Sequence, residues 1–370
     1  MIDSIAGEKI LKENNLSNFN KIKFTNNSKI IKEENNSLNI KMGICKNDIS
    51  NVEKLVKLIE KRDPKFIELY EIKENIGSGS ESVVYKVIYK KTNKVLAIKY
   101  LLNEGKRNIN EFNILYTLKN KNIINFFGVY EIKKIELDCV IMEYAKFGSL
   151  RDFKKNIIKK DYLSEQLLCF LAYQILNGLN HCHKCKIDHF DLKPQNIIID
   201  EYLNVKIIDF SVSFNYSKIK SGKIKLPFRG TNFYIAPEVI KSQIINIDDM
   251  NKVDLYSLGV ILYNLAFGTY PYNLNRDDDD YDKIYNKIEN NKLEFDNENN
   301  CYSKYFIDFI NKLLEKDINK RININEAINH YWIKGSNILL EEKEKCFNAS
   351  CYLIYLMTDH IINFYKYVNN

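Results

Sequence analysis

The signals that would send this chain out of the cell or into a membrane are missing. Met1 to Ile10 lacks both the basic start and the long apolar stretch of a secretory signal. The most apolar late segment, Cys351 to Met357, runs straight into Thr358, Asp359 and His360, well short of the roughly 20 residues that span a bilayer. Position 2 is Ile2 rather than glycine, which removes the usual myristoylation signal. The eight cysteines follow no spaced framework. Two of them lie in His181-Cys182-His183-Lys184-Cys185, but no second CxxC or HxxxH supplies the distant ligand pair of a structural zinc site. There is no basic run of nucleic-acid type either, since 55 basic against 48 acidic residues leave a net charge of only +7 over 370 residues. These absences argue against a disulfide scaffold, a membrane protein and a nucleic-acid binder. They imply a reduced, cytoplasmic protein, the nucleus not being excluded.

What is present is enough apolar content, 45%, to bury a substantial core, in two average domains or one two-lobed one. Residues 1–47 are rich in Asn and Lys with isolated Ile and almost no aromatics, the composition of a disordered leader. From Asp48 to Lys61 the pattern changes. Leu55, Val56, Leu58 and Ile59 take helical spacing behind Asp48 and Ser50 as caps, and Pro64 ends the run. Two readings stay open for this short helix and linker (48–66): a helix packed on the adjoining domain, or a nascent helix in a loose tail. Strand patterns come next, at Tyr70 to Ile76, Val83 to Tyr89 and Val95 to Tyr100, then at Ile123 to Tyr130 and Leu137 to Met142. Leu163 to His181 is a long periodic helix. The four aspartates from Asp277 to Asp280 read as a solvated helix entry rather than a dock for basic substrates. The tail 335–370 has helical apolar content that either packs back on the body of the protein or docks a partner helix.

The most informative stretch is His189 to Phe210, HFDLKPQNIIIDEYLNVKIIDF. Apolar runs at Ile197 to Ile199 and Val205 to Ile208, parted by polar residues, predict a short hairpin that draws its ends together. Asp191, Lys193, Asn196 and Asp209 then share one site. Such a set suits phosphoryl transfer: a carboxylate for the attacking hydroxyl, hard oxygens for magnesium, and a cation near the phosphate. The stretch resembles the catalytic and magnesium loops of eukaryotic protein kinases, whose patterns are HRDLKxxN and DFG.

That resemblance extends over about residues 68 to 334. Gly77-Ser78-Gly79-Ser80-Glu81-Ser82 resembles the glycine-rich phosphate loop, with Ser82 in place of the third glycine. Leu96-Ala97-Ile98-Lys99 resembles VAIK, Ala236-Pro237-Glu238 matches the end of the activation segment, and Asp254-Leu255-Tyr256-Ser257-Leu258-Gly259 resembles DxWSxG. The family implies an α+β bilobal kinase fold (67–334), with a small, mainly β N-lobe (67–142) carrying one helix and a larger, mainly α C-lobe (146–334). It implies ATP and Mg2+ as cosubstrate and metal, and a protein as phosphate acceptor. By the same resemblance, Asp191 and Lys193 are catalytic and Asn196 and Asp209 hold the metal. ATP falls to Gly77, Gly79, Val84, Ala97, Lys99, Glu111, Met142, Glu143 and Ala145. Glu111 is the expected counter-charge of Lys99, with Glu104 as its rival. Thr231 is expected to contact Asp191, Asp254 to bind catalytic-loop backbone, and Arg321 to pair with Glu238. Counting back from His189, Cys182 and His183 fall at a helix end, with His183 as the family's helix-terminal histidine.

DLKPQN and GTxxYxAPE are of the serine/threonine type. Neutral Ser149, Gln195 and Asn264, where arginine-directed relatives carry glutamates, speak against a strong preference for arginine before the target. Two departures bear on regulation. Phe190 replaces the arginine that receives an activation-segment phosphate, so phosphorylation at Ser213, Ser217 or Ser221 is expected to couple weakly to activity. Ser211 replaces the glycine after Asp209-Phe210 and removes a residue that readily takes positive φ. The alternative function is a pseudokinase scaffold that binds nucleotide or a partner without turnover. Against it, Lys99, Glu111, Asp191, Lys193, Asn196 and Asp209 are all present.

Overall fold

Buried and partly exposed residues alternate strictly from Ser82 to Tyr89, which gives this stretch two distinct faces. The computed structural model describes residues 49–79, 82–102, 109–135, 137–159, 162–219, 222–275, 277–278, 280–295 and 302–334. It sets the run into a five-stranded antiparallel sheet: β1 (Tyr70–Ser78), β2 (Ser82–Tyr89), β3 (Lys94–Leu102), β4 (Phe126–Ile132) and β5 (Leu137–Glu143), ordered β1-β2-β3-β5-β4. Val83, Tyr85, Val87 and Tyr89 enter a core with Leu96, Ile98, Tyr100, Cys139 and Ile141. Val84 and Lys86 turn to the opposite face. The leader 1–47, the tail 335–370, Ser80, Glu81, Glu104 and Ser221 lie outside the described residues.

Residues ahead of the sheet complete its core. Helix α1 (Val52–Arg62) starts at Asn51, whose side chain accepts a hydrogen bond from Lys54 N at 3.0 Å, so the cap lies just past Asp48 and Ser50. Glu53 in its first turn and Lys61 and Arg62 in its last suit the helix dipole. Leu55 and Ile59, one turn apart, are fully buried. Pro64 does not simply stop the run. It opens a second helix, α2 (Pro64–Leu69), where its missing N–H costs nothing. α2 delivers Phe66, whose ring lies 4.9 Å from Tyr70 and 5.1 Å from Tyr130, centroid to centroid. Two hydroxyls close the seam: Tyr85 Oη donates to Ile49 O and Tyr130 Oη to Asp63 Oδ2, each at 2.9 Å. Of the two readings open for this segment, the packed helix is the one realised.

The chain groups into two compact units, one within Met1–Arg107 and Phe126–Tyr144, the other within Asn108–Asn125 and Ala145–Asn370. Helix α3 (Ile109–Thr117) therefore groups with the second unit, while α1 and α2 group with the sheet. The segment after α3 explains this. Ile124 N donates to Ile207 O at 3.1 Å and Ile207 N to Asn122 O at 2.9 Å, so residues 122–124 are stitched to the expected hairpin, β7 (Ile197–Ile199) and β8 (Val205–Ile207). Behind it runs α4 (Glu165–Lys184), capped by Ser164. From α4, Gln174 accepts from Val205 N at 3.1 Å and donates to Leu203 O at 3.2 Å; Asn122 Nδ2 donates to Val205 O at 2.9 Å. Every one of these polar groups is buried, so each bond answers a desolvation cost. Gly178 makes the approach possible, because a Cβ there would meet Asn122 O and Ile207 Cδ1 at 2.9 Å.

Helix α5 (Lys252–Phe267) is buried nearly all round and ends at Gly268, whose φ of 74° forms a left-handed cap. Beside it, Arg321 forms the expected bridge, with Nη1 and Nη2 reaching Glu238 at 2.6 and 2.9 Å and both side chains buried. Arg321 also donates to Lys252 O and Glu315 O, so its fork is satisfied rather than stranded. In the acidic run, Asp280 caps the helix Tyr281–Asn290, as a helix entry requires. Asp278, however, is not solvated: it is buried against Lys287 at 2.7 Å.

Phe66→Ala should destabilise the sheet unit by about 3–5 kcal/mol, the usual cost of emptying an aromatic core site. Urea unfolding followed by hydrogen exchange at β2 and β3 amides checks this. An unchanged midpoint would mean that α2 lies outside the cooperative core.

Candidate active site

Each unit carries its own share of the expected site residues. In the sheet unit, cross-strand register sets Gly77 opposite Val84, Val84 opposite Lys99, and Lys99 opposite Val140. Ala97 stands opposite Met142 on β5. Since successive side chains alternate and Val83, Ile98 and Ile141 go to the core, Val84, Ala97, Lys99 and Met142 share the other face. The register slips between Asn75 and Gly77, a bulge at the mouth of the glycine-rich turn. There Gly77 N donates to Asn75 Oδ1 at 3.0 Å and Gly79 N to Ser82 O at 2.9 Å. Glu143 ends β5, and Ala145 begins the next stretch of the second unit.

The second unit brings together Asp191, Lys193, Asn196 and Thr231. Lys193 Nζ donates to Asp191 Oδ2 and to Thr231 Oγ1, both at 2.7 Å. Thr231 Oγ1 donates in turn to Asp191 Oδ1 at 2.5 Å. Asn196 Nδ2 reaches Asp191 O at 2.8 Å and Oδ2 at 3.1 Å. Three side chains thus orient one carboxylate, with the bonds strengthened by its charge. His189 joins this cluster to the next strand: its Nδ1 accepts from Asp191 N at 3.2 Å, so Nε2 carries the proton and donates to Ile208 O at 2.9 Å. Ile208 N donates to Asn196 O at 3.0 Å, placing Asn196 and Asp209 at the same end of the hairpin.

Positive φ falls on Phe190 and Asp209, both at 65°, and not on Ser211. The residue in place of the family's glycine therefore needs no unusual backbone here. Glu111 is buried on α3 in the second unit, whereas Lys99 belongs to the first. Ser213 is buried and donates Oγ to His189 O at 3.2 Å, while Ser217 is exposed on the same segment.

Asp254 anchors the loop as expected. Its Oδ2 accepts from His189 N at 2.8 Å and its Oδ1 from Phe190 N at 2.9 Å, and His183 Nε2 lies 3.0 Å from Oδ2. Burial alone would raise the Asp254 pKa, but the His183 and His189 contacts outweigh it and hold the carboxyl below its ordinary value. For His183, burial works against the charge, yet the bond to Asp254 and the neighbouring carboxylates keep its pKa raised. The two histidines of the 181–185 cluster face different partners, His181 Nε2 accepting from Lys119 N at 3.3 Å.

Asp188 was not singled out from the sequence, where it is one carboxylate inside Ile187-Asp188-His189-Phe190. It is fully buried, and His183 Nε2 approaches it to 3.3 Å. Neither of its oxygens accepts a hydrogen bond among the described residues. Burial pushes its pKa up to about 8.

A model of the protein kinase domain matches residues 70–333. The chain belongs to the protein kinase family. The chain is 32% identical over 287 residues to the SNF1-related protein kinase catalytic subunit alpha KIN12 of Arabidopsis thaliana, covering 75% of this chain and 54% of that protein. It is 30% identical over 332 residues to the probable serine/threonine-protein kinase fhkA of Dictyostelium discoideum, covering 79% and 54%. Against the serine/threonine-protein kinase CLA4 of Candida albicans it is 32% identical over 301 residues, 80% and 30%. The chain thus spans about half the length of the first two relatives and less of the third. The α+β kinase fold anticipated from the motifs is the fold found, with a five-stranded antiparallel sheet and a mainly helical second unit. Helices α1 and α2, which run from Val52 to Leu69, lie wholly ahead of the matched kinase domain and still build its sheet's core. Among the described residues, no helix is long and apolar enough to cross a membrane.

Asp188 should withdraw stability from the kinase domain as pH rises from about 4 to about 8. Across that window the native Asp188 keeps a proton that the unfolded chain releases. Asp188→Asn removes this dependence, so the melting temperature of the variant relative to wild type should be higher at pH 8.5 than at pH 5.5. An equal difference at both pH values would show that Asp188 does not titrate.

Proposed function

We propose that this chain is a protein serine/threonine kinase that transfers the γ-phosphate of ATP to hydroxyls of protein substrates. The observation that carries the reading is the Asp191 carboxylate, gripped by Lys193, Asn196 and Thr231 with its other surroundings organised by His189 and Asp254. Phosphoryl transfer asks little covalent chemistry of the protein and much positioning. Asp191 orients the attacking hydroxyl and accepts its proton. Lys193 supplies positive charge beside the transferred group, and Thr231 keeps both in register. Asn196 spends its amide hydrogens on Asp191, which leaves its Oδ1 as a hard ligand, and Asp209 offers a carboxylate. That donor set fits Mg2+, which when bound neutralises charge on the phosphates.

In the sheet unit, Lys99 is assigned to the α and β phosphates with Glu111 as its counter-charge. The glycine-rich turn at Gly77 and Gly79 is assigned to cover the phosphates, where a side chain would hinder approach. Val84, Ala97 and Met142 line the adenine site, and Glu143 and Ala145 offer backbone groups to its edge. The serine/threonine form of DLKPQN supports the acceptor class, in line with the names of fhkA and CLA4. Ser149 caps the turn Leu150–Asp152, and Asn264 donates to Thr269 O at 3.2 Å. With these two neutral and Gln195 exposed and neutral, the acceptor sequence is not strongly arginine-directed.

Transfer of labelled phosphate from Mg-ATP to a generic basic protein, followed by acid hydrolysis of the product, tests the reading. Asp191→Asn should lower kcat by roughly 10²-fold or more while ATP still raises the melting temperature. Lys99→Met should weaken that ATP-induced shift. Phosphate transfer retained in Asp191→Asn would overturn the catalytic assignment.

A further inference from the structure

The Phe190 ring has a cationic partner across space. Arg229, three residues after Leu226 in the segment between Asp209 and Ala236, places its guanidinium 5.8 Å from the Phe190 ring centroid and 5.7 Å from that of Phe214. The two rings lie 6.2 Å apart, edge to face. Arg229 Nη1 also donates to Val212 O at 2.7 Å, at the start of the same segment. One side chain thus ties the two ends of the segment to each other and to the catalytic loop. A guanidinium suits this station because it is planar, stacks on aromatic faces and still donates in its own plane.

The neighbourhood continues the pattern. β6 (Ile187–Asp188) pairs with β9 (Phe214–Asn215), setting Asp188 opposite Phe214. Phe214 stacks on Tyr216 with 15° between planes, and Lys186 Nζ lies 5.7 Å from the Tyr216 centroid. One cation therefore bridges Phe190 and Phe214, and a second lies against Tyr216 in the same aromatic row. After Arg229 the chain crosses the catalytic loop at Gly230, where φ is 121° and a Cβ would sit 2.8 Å from Phe190 O. The next residue is Thr231, bonded to Asp191. Arg229, Gly230 and Thr231 are consecutive, so whatever fixes Arg229 also fixes the hydroxyl on the catalytic carboxylate.

We propose that Arg229 is a built-in latch of the activation segment: held on Phe190, Phe214 and the Val212 carbonyl, it keeps Thr231 on Asp191 without phosphorylation. The residue stands in for the phosphate clasped by an arginine after the catalytic-loop histidine, with the cation supplied by the segment and the receptor built from aromatic rings. Arg229 is a positioning residue, acting through Thr231, and the proposal rests on the kinase reading above.

The full chain is assayed as wild type, Ser217→Ala/Ser221→Ala, Arg229→Met, Arg229→Lys, Phe190→Arg and the double variant Phe190→Arg/Arg229→Met. The serine variant should keep kcat within twofold. Arg229→Met should lower kcat at least tenfold with the KM for ATP within twofold, and Arg229→Lys should fall between it and wild type. Phe190→Arg should also lower kcat, because two guanidiniums then compete for one station. The double variant, which moves the guanidinium to the other side of the contact, should exceed both of its single parents. Hydrogen exchange at the amides of residues 212–214 should quicken in Arg229→Met. Unchanged kcat and exchange in Arg229→Met overturn the latch, as does a tenfold loss in the serine variant or a double variant no better than its parents. If the wild type transfers no phosphate, the kinase reading falls, and the exchange comparison still decides the latch.

Discussion

The Asp254 carboxylate, at the start of α5, receives the backbone N–H groups of His189 and Phe190 at 2.8 and 2.9 Å, and the catalytic loop takes its shape from that grip. Phe190 is held at a φ of 65°, a conformation a phenylalanine rarely adopts unaided. The turn so forced presents Asp191 to Lys193, Asn196 and Thr231 on one side and His189 to Ile208 on the other. α5 is almost wholly buried, so the anchor cannot move without disturbing the helical core. His183 completes the anchor from α4, and Asp188 adds a carboxylate that burial keeps from ionising readily.

In the sheet unit the governing constraint is that a strand has two faces. One face is closed by α1 and α2, with Phe66, Leu55 and Ile59 against Tyr70, Tyr85 and Tyr100. Only because that face is filled with apolar side chains is the other left to Val84, Ala97, Lys99 and Met142. The segment 49–69 thus belongs to the unit physically, although all of it precedes residues 70–333, which the family model matches. Its contribution is packing rather than chemistry.

In the proposed latch, regulation depends on where a single cation sits. Phe190 removes a guanidinium from the catalytic loop, and Arg229 returns one from the segment that the loop must hold. An aromatic receptor for a fixed cation holds whenever the chain is folded, whereas a receptor for phosphate waits on another enzyme. The burial of Ser213 fits the same picture, since its hydroxyl already serves as a structural donor to His189 O.

Local patterns in the sequence determined much of this protein. The hairpin of β7 and β8, the alternation of β2, the long α4 and the grouping of Asp191, Lys193 and Asn196 all arise from short-range periodicity and from residues a few positions apart. The pairings of Glu238 with Arg321 and of Thr231 with Asp191 were legible only through the resemblance to a family, because nothing local joins residues 83 or 40 positions apart. Three things belonged to the tertiary structure alone. The helix before the sheet could have been loose, and was decided by whether Phe66 and Leu55 found a core to enter. Asp188 looks like any carboxylate until the fold buries it, with no donor to its oxygens among the described residues. Arg229 reads as one more charge in a basic segment until the fold lays it on Phe190 and Phe214, since a cation's stacking partner is set by what lies across space, and no periodicity along the chain records it.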